Sequence, residues 1–565
     1  MSRKKSSIKY TSKNRMYSIF VLFLLIYGFL IYRLVDIQIT HSDFYKKCVR
    51  DQSSSSINLS SGRGTIYDRN NKKITDTKSE DIIIIQKDKI NVDDGYMELI
   101  QEVTGLDNSH IYEKIQENPV SPIVELKVSK MNDNLKGRLE KENIIIDKKT
   151  YRYSDEDILA HTIGYIDKDS NGVSGIEKSK DDVLKDKNLD YVEVFKAGSS
   201  GNAGKNKKIG VLDGSVKVNE KNKDDRHLKL TIDYDIQKKL EKLVDKEQNP
   251  SSVVISDVKS GEVLAMTSRP NFDRDSISEY LKMSNGELEN RAIKYMYAPG
   301  SVFKIVVLYA ALEEGVVDEN YTYTCTGSSE VHNRVLKCNK LEGHGTLTLE
   351  QAFANSCNTA FLDIALKVGK EKIMDTAKKL HLDQEVGIDI YGEKSGTIKD
   401  EIDIVNLCIG QGQMMFTPLQ VNQMTQVIAN NGTYKPLQIY DSIINNKKEI
   451  VKAFRSTKED KGDISPYIVS KIKNMMKSVA SEGTAKELAT LEKGSGVKTG
   501  TTQATINVEN ADKTMGKKII THGWVTGFYP KENPKYAITV IIEGTKDSSK
   551  PATPLFKEIC ETILK

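Results

Sequence analysis

The chain has 565 residues, 29% of them charged and 38% hydrophobic, a balance that fits a soluble globular body of two or three domains rather than one. Its formal net charge is only +4, from 83 basic and 79 acidic residues, so the overall balance points to no nucleic-acid partner. Six cysteines in a chain of this length exclude a disulfide-dense scaffold.

The N-terminus departs from the mixed pattern. Residues 1–15 carry Arg3, Lys4, Lys5, Lys9, Lys13 and Arg15 and no acid, and Met16 to Tyr32 then carries no charge. At about 1.5 Å per residue this run falls slightly short of a bilayer core of roughly 30 Å. Leu34, Val35 and Ile37 lengthen it, with Arg33 snorkelling to the headgroups. Arg33 to Gln38 offers no small-residue cleavage site, so the reading is a retained anchor over 16–38 rather than a removed signal peptide. The basic tail 1–15 then lies in the cytoplasm and the remainder outside.

Ser53 to Ser56 reads as a polar link, and Arg63 to Asn70 as a turn leading into a strand. Asp81 to Gln86 holds four consecutive isoleucines and predicts a strand. Helical patterns follow near 95–104 and 132–142, then a strand near 143–150, and Ala197 to Lys208 is a Gly- and Ser-containing loop. Residues 40–220 are thus an α+β stalk. From about 228 the character changes. Asp233 to Lys246 is an amphipathic helix, and Ser252 to Met266 a strand–turn–strand. Helices dominate the middle. Strands return at 497–502, 523–528 and 536–542, with a turn at Tyr529-Pro530 and a closing helix over 554–564. Strands at both ends with helices between predict an antiparallel sheet flanked by helices, an α+β fold, over 228–565.

Three short signals in this second region carry chemistry. Ser301-Val302-Phe303-Lys304 follows the helix-breaking Ala298-Pro299-Gly300 and opens an apolar run of helical length. A serine there sits at a helix N-terminus, whose free N–H groups and dipole favour a developing oxyanion. Lys304 shares its face, and burial lowers a lysine's pKa so that it can take the serine proton. Ser-x-x-Lys alone is a weak signal, since Ser2 to Lys5 and Ser6 to Lys9 also match. Ser356-Cys357-Asn358 offers a hydroxyl to relay a proton and an amide to hold a substrate backbone. Lys498-Thr499-Gly500-Thr501 lies on a predicted edge strand. Lys498 offers positive charge to a substrate carboxylate, and the threonines offer hydroxyls. Gly500 leaves room for a peptide to add along the strand. The order of the three is far more specific than any one of them, and it is the S-x-x-K, S-x-N, K-T-G layout of penicillin-recognising serine transferases.

With these motifs the chain resembles the class B penicillin-binding proteins, the membrane-anchored peptidoglycan DD-transpeptidases, over nearly its whole length. Arg63 to Asn70, and His161 to Tyr165 with Gly175-Ile176-Glu177, resemble the family's stalk motifs. Asn290-Arg291-Ala292, Gly410-Gln411-Gly412, Thr417 to Gln420 and His522-Gly523-Trp524 resemble segments around its active site. The resemblance implies a pedestal or dimerisation-type stalk followed by a penicillin-binding transpeptidase domain, and the monofunctional class, because no polymerase domain is read ahead of the stalk. It implies that Ser301 attacks the penultimate D-Ala of a stem peptide ending in D-Ala-D-Ala, with Lys304 as base. Ser356 assists proton transfer and Asn358 holds the peptide. Lys498, Thr499 and Thr501 bind the terminal carboxylate, and the N–H groups of Ser301 and Thr501 form the oxyanion hole. It further implies inhibition by β-lactam antibiotics and a polytopic glycosyltransferase partner in the membrane. Cys357 occupies the variable middle position of the second motif.

Cys325, Cys338, His344 and Cys357 gather ahead of and within the second motif. Three thiolates and an imidazole make a closed tetrahedral zinc site that would brace the loop carrying Ser356 and Asn358. His332 is an alternative ligand, and buried or disulfide-paired cysteines are the competing reading. No cofactor is required for the chemistry itself. A DD-carboxypeptidase, a β-lactamase-like hydrolase and a non-catalytic penicillin-binding sensor or scaffold remain alternatives to the transpeptidase. The stalk, the anchor and the intact Ser301, Lys304 and Lys498 favour the transpeptidase.

Overall fold

The computed structural model describes residues 12–42, 45, 54–90, 94–119, 121–154, 156–185, 190–196, 211–218, 226–274, 276–283, 286–331, 333–454, 463–509, 515–545 and 552–564. Most of the basic tail, Cys48, the loop expected at 197–208 and His332 lie outside them. The apolar N-terminal segment is a helix, Ser12–Val35, that continues through a π-helical turn, Asp36–Thr40. The 26 residues Arg15–Thr40 are apolar and exposed. They span about 39 Å, long enough for a single-pass anchor, where the uncharged run alone falls short.

The chain divides into two compact units that do not follow its order. One comprises Met1–Ser60, Ser79–Thr150 and Leu189–Lys221; the other comprises Ser61–Lys78, Tyr151–Asn188 and Asn222–Lys565. The stretch read as one stalk, 40–220, therefore divides between them.

In the first unit the strand Lys78–Gln86 lies between Ile123–Lys127 and Ile145–Tyr151. Side chains alternate across a strand, so its isoleucine run is buried on both faces. Ile83 and Ile85 pack with Leu99, Ile100 and Leu139 of the helices Asp94–Thr104 and Asp133–Lys141. Ile82 and Ile84 pack with Leu59, Val192 and Val194. The expected serine link is instead a strand, Ser54–Asn58, paired antiparallel with Tyr191–Lys196. Edge-strand backbone pairing and the Ser54–Glu193 hydrogen bond of 2.7 Å hold these serines extended.

The second unit is built on a five-stranded sheet in the order Val263–Arg269, Ser251–Asp257, Tyr536–Thr545, Met515–Tyr529, Gly496–Glu509, with every pairing antiparallel. The helix Pro418–Ala429 is buried along its whole length. Its polar side chains are bonded rather than solvated. Asn422 donates to the Val254 and Ala537 carbonyls at 3.2 and 3.1 Å, and Gln426 to the Val258 carbonyl at 2.8 Å. The apolar Lys304–Glu313 helix lies in the same core cluster. The middle region is not purely helical. Thr322–Cys325 pairs with Gly345–Thr348, and Ser328–Val331 with Arg334–Lys337.

Two segments that sequence alone separates meet in a buried ionic cluster of this unit. Glu177 accepts Arg63 Nε and Arg152 Nε, each at 2.7 Å, and all three side chains are buried. Arg63 also donates to Asp181 at 2.6 Å, and Arg152 to Asp76 at 2.8 Å. Removing Glu177 strips a counter-charge from two buried guanidinium groups. Glu177→Ala is expected to lower the unfolding free energy by about 3–5 kcal/mol, read by chemical denaturation, whereas substitution of the exposed Glu117 should leave it unchanged.

Candidate active site

Ser301 lies in a single 3₁₀ turn, Gly300–Phe303, that runs directly into the Lys304–Glu313 helix. The turn is fixed on three sides. Tyr297 and Phe416 exchange both backbone hydrogen bonds, at 2.9 and 2.8 Å, and Gly300 N–H donates to the Gly410 carbonyl at 2.8 Å. The Trp524 indole N–H donates to the Ala298 carbonyl at 3.1 Å. Gly300 has φ +56°, and a Cβ there would sit 2.4 Å from the Thr501 oxygen, so only glycine lets the turn approach that strand.

Lys304 is fully buried. Its Nζ donates to the Ser356 carbonyl at 2.7 Å, to Ser356 Oγ at 3.2 Å and to Asn358 Oδ1 at 2.7 Å. Burial pushes its ammonium down to about 8, against an upward pull from the sulfurs of Cys408, Cys357 and Cys338. Ser356 sits at φ +53°, a left-handed conformation that a non-glycine residue adopts at a cost. Its Oγ also accepts Lys498 Nζ at 3.1 Å. With both lone pairs taken by amines, its own O–H is left to donate. Asn358 opens the next helix, Asn358–Val368, and its amide also donates to the Lys337 carbonyl at 3.1 Å.

Lys498 differs from expectation. It is fully buried rather than displayed on the strand, with Nζ on Ser356 Oγ and on the Thr499 carbonyl at 3.1 Å. Burial first, and the neighbouring Lys304 second, hold its ammonium well below the ordinary lysine value. Side chains alternate along a strand, so Lys498 points inward. Thr499, Gly500 and Thr501 line a cleft of about 600 Å³ with Ser301, Ser356 and Asn358. The chemical groups read from the three motifs therefore meet in and immediately behind one cleft. Gly496–Glu509 is the sheet's edge strand, with Gly500 opposite Trp524 and Thr501 opposite Gly523.

Other cleft residues had no role in the sequence reading. Thr484 shares a 2.6 Å hydrogen bond with Thr499, and Asn339 and Gln411 also line the cleft. Only Gln411 lay in a segment that carried a signal. Arg291, noted in sequence without a role, donates to Glu543 at 2.8 Å, and Glu543 accepts the Tyr297 hydroxyl at 2.7 Å behind the nucleophile turn.

Cys325, Cys338, His344 and Cys357 converge, with their ligand atoms all within 4.8 Å of one another. Cys338 Sγ lies 3.7 Å from Cys357 Sγ and 3.5 Å from His344 Nδ1. Zn–S bonds near 2.3 Å and Zn–N bonds near 2.0 Å give tetrahedral edges of about 3.8 and 3.5 Å, so these two contacts have the spacing of a zinc tetrahedron. The cysteines are free and buried.

Comparison with known proteins places this geometry. Residues 251–561 match the penicillin binding protein transpeptidase domain, and residues 58–208 the penicillin-binding protein dimerisation domain. The chain is 26% identical over 557 residues to stage V sporulation protein D of Bacillus subtilis, covering 93% of this chain and 82% of that protein. It is 26% identical over 599 residues to peptidoglycan D,D-transpeptidase MrdA of Haemophilus influenzae, covering 96% and 90%. A solved chain described under "Structural coordination of polymerization and crosslinking by a peptidoglycan synthase complex" shares the fold, with TM-score 0.66 and 21% identity over 96% of this chain and 97% of that one. The chain belongs to the penicillin-binding protein transpeptidase family, as a class B member. It is an enzyme of the serine-type D,D-transpeptidase class.

Because the neutral amine of Lys304 is the form that can accept a proton, the rate of penicillin labelling should rise about tenfold per pH unit below about 8 and level off above it. Stopped-flow labelling across pH 6 to about 9.5 checks this.

Proposed function

We propose that this enzyme crosslinks peptidoglycan through an acyl-enzyme on Ser301. The observation that carries the reading is the Lys304–Ser356–Lys498 chain behind a cleft that Ser301 and Thr501 both line. Ser301 Oγ attacks the carbonyl of the penultimate D-Ala of a stem peptide ending in D-Ala-D-Ala, and its proton passes to Lys304. The oxyanion is held by the N–H groups of Ser301 and Thr501. The Ser356 O–H donates to the leaving D-Ala amine as the C–N bond breaks, and Lys304 returns a proton to Ser356. An amine of a neighbouring strand then attacks the ester, restoring the Ser301 hydroxyl and leaving a new peptide bond. Asn358 holds the donor backbone. The hydroxyls of Thr499 and Thr501 receive the terminal carboxylate, and Lys498 supports that end of the cleft from behind by its hydrogen bond to Ser356 Oγ. β-Lactams acylate the same serine.

The N-terminal helix anchors the enzyme with its tail in the cytoplasm and the cleft outside, a reading supported by the basic residues ahead of the span. A polytopic glycosyltransferase is the proposed membrane partner. It is supported by the polymerization and crosslinking complex in which a structural relative was solved. Purified ectodomain is expected to take up fluorescent penicillin and to join a donor stem peptide to an amine, and Ser301→Ala to lose both by at least about a thousandfold. Equal labelling of the two proteins would remove Ser301 as nucleophile. Release of D-Ala without the amine adduct would make the enzyme a carboxypeptidase.

A structural zinc ion held by Cys325, Cys338, His344 and Cys357 is part of the same proposal. It would supply no chemistry to the reaction. Its role would be to tie the Asn339-bearing loop to the Ser356–Asn358 turn. Chelator-free protein should contain about one zinc per chain, and Cys338→Ser should lose it together with thermal stability. Metal-free unmutated protein would end this part of the proposal.

A further inference from the structure

Thr501 presents its carbonyl on the open side of the edge strand, where it accepts Gln411 Nε2–H at 3.3 Å. Along an antiparallel strand the N–H and C=O of one residue point to the same side, so the Thr501 N–H opens onto that side as well. The orientation of the Gln411 amide is fixed by a second bond, from the Thr502 hydroxyl to Gln411 Oε1 at 3.4 Å. Rotating the amide would place its oxygen against the Thr501 carbonyl. Gln411 follows Gly410, whose carbonyl holds the Gly300 N–H, so the cap is carried by the segment that fixes the nucleophile turn. Ser301, Gln411 and Thr501 line one cleft.

We infer that Gln411 is a specificity-determining residue that caps the Thr501 carbonyl and yields it to acyl donors carrying an amide N–H beside the attacked carbonyl. The inference rests on the acyl-transfer reading above. The penultimate D-Ala has such an N–H, one carbon from the carbonyl that Ser301 attacks. A donor laid along the edge as an added strand directs that N–H to the Thr501 oxygen. Gly300 packs against the same oxygen, so the donor N–H and the Gln411 N–H compete for the approach left open. A donor without the N–H makes no such exchange and leaves the cap in place. The cap also keeps an exposed strand edge from pairing with the wrong chain, which is a recurrent liability of such edges.

The probe pair is benzylpenicillin, whose acylamino side chain supplies the N–H, and a carbapenem, which has none. Second-order acylation rates are measured on the unmutated ectodomain and on Gln411→Met, which keeps the length and removes the donor. The expected result is a rise of about threefold to tenfold in the ratio of the benzylpenicillin rate to the carbapenem rate, the scale of one hydrogen bond freed from competition. Gln411→Ala should move the ratio of the two rates in the same direction. That ratio is taken within one preparation, so a partly inactive sample does not alter it. An unchanged ratio overturns the inference, including the case in which both rates fall together because Gln411 merely supports the strand. A lowered ratio overturns it too. Failure of both compounds to acylate the unmutated protein would instead sink the acyl-transfer reading itself, and this inference with it.

Discussion

The site depends on the burial of one amine. Lys304 has no solvent to hold its charge, and the groups around its Nζ are an uncharged carbonyl, a hydroxyl and an amide oxygen. No carboxylate holds the proton on, so a neutral, proton-accepting lysine is available close to neutral pH. The same three contacts explain the shape of the second motif. Ser356 turns left-handed so that both its carbonyl and its hydroxyl reach Lys304. Asn358 begins a helix and turns its side-chain oxygen to the same nitrogen. On the far side of Ser356 a second lysine, Lys498, is held well below its ordinary value by burial and then by Lys304.

Around that amine the fold is a system of close backbone approaches. The nucleophile turn is pinned between the Gly410 segment and the edge strand, and each approach uses a glycine where a side chain would collide. A Cβ on Gly410 would lie 2.0 Å from the Gly300 carbonyl oxygen. Ser301 is thus positioned mainly by main-chain contacts from distant parts of the chain, which are less compliant than side-chain supports.

Much of this was legible in the sequence because local chemistry and local geometry agree there. The isoleucine run reads as a strand by its β-propensity, and the structure buries it on both faces; Ala298-Pro299-Gly300 reads as a break ahead of a helix, which begins at Lys304. The ordered motifs located Ser301, Lys304, Ser356 and Asn358. What stayed hidden is set by partners far along the chain. The inward turn of Lys498 follows from the register of its strand against Met515–Tyr529, and Arg63 meets Glu177 across 114 positions of the chain. The serines at 54–58 carry no apolar alternation, and their extended form comes from pairing with Tyr191–Lys196. Gln411 and Thr484 are ordinary polar residues whose placement beside Thr501 and Thr499 no local pattern encodes.

The sole tryptophan of the chain is Trp524. Its indole is wholly buried, bonded to Ala298 and edge-on to Tyr297 at a ring separation of 5.8 Å. Excitation at the red edge of the ultraviolet band therefore reports from a single ring, bonded to the segment that leads into the Ser301 turn. The enzyme carries its own optical gauge of that turn, free of background from any other indole.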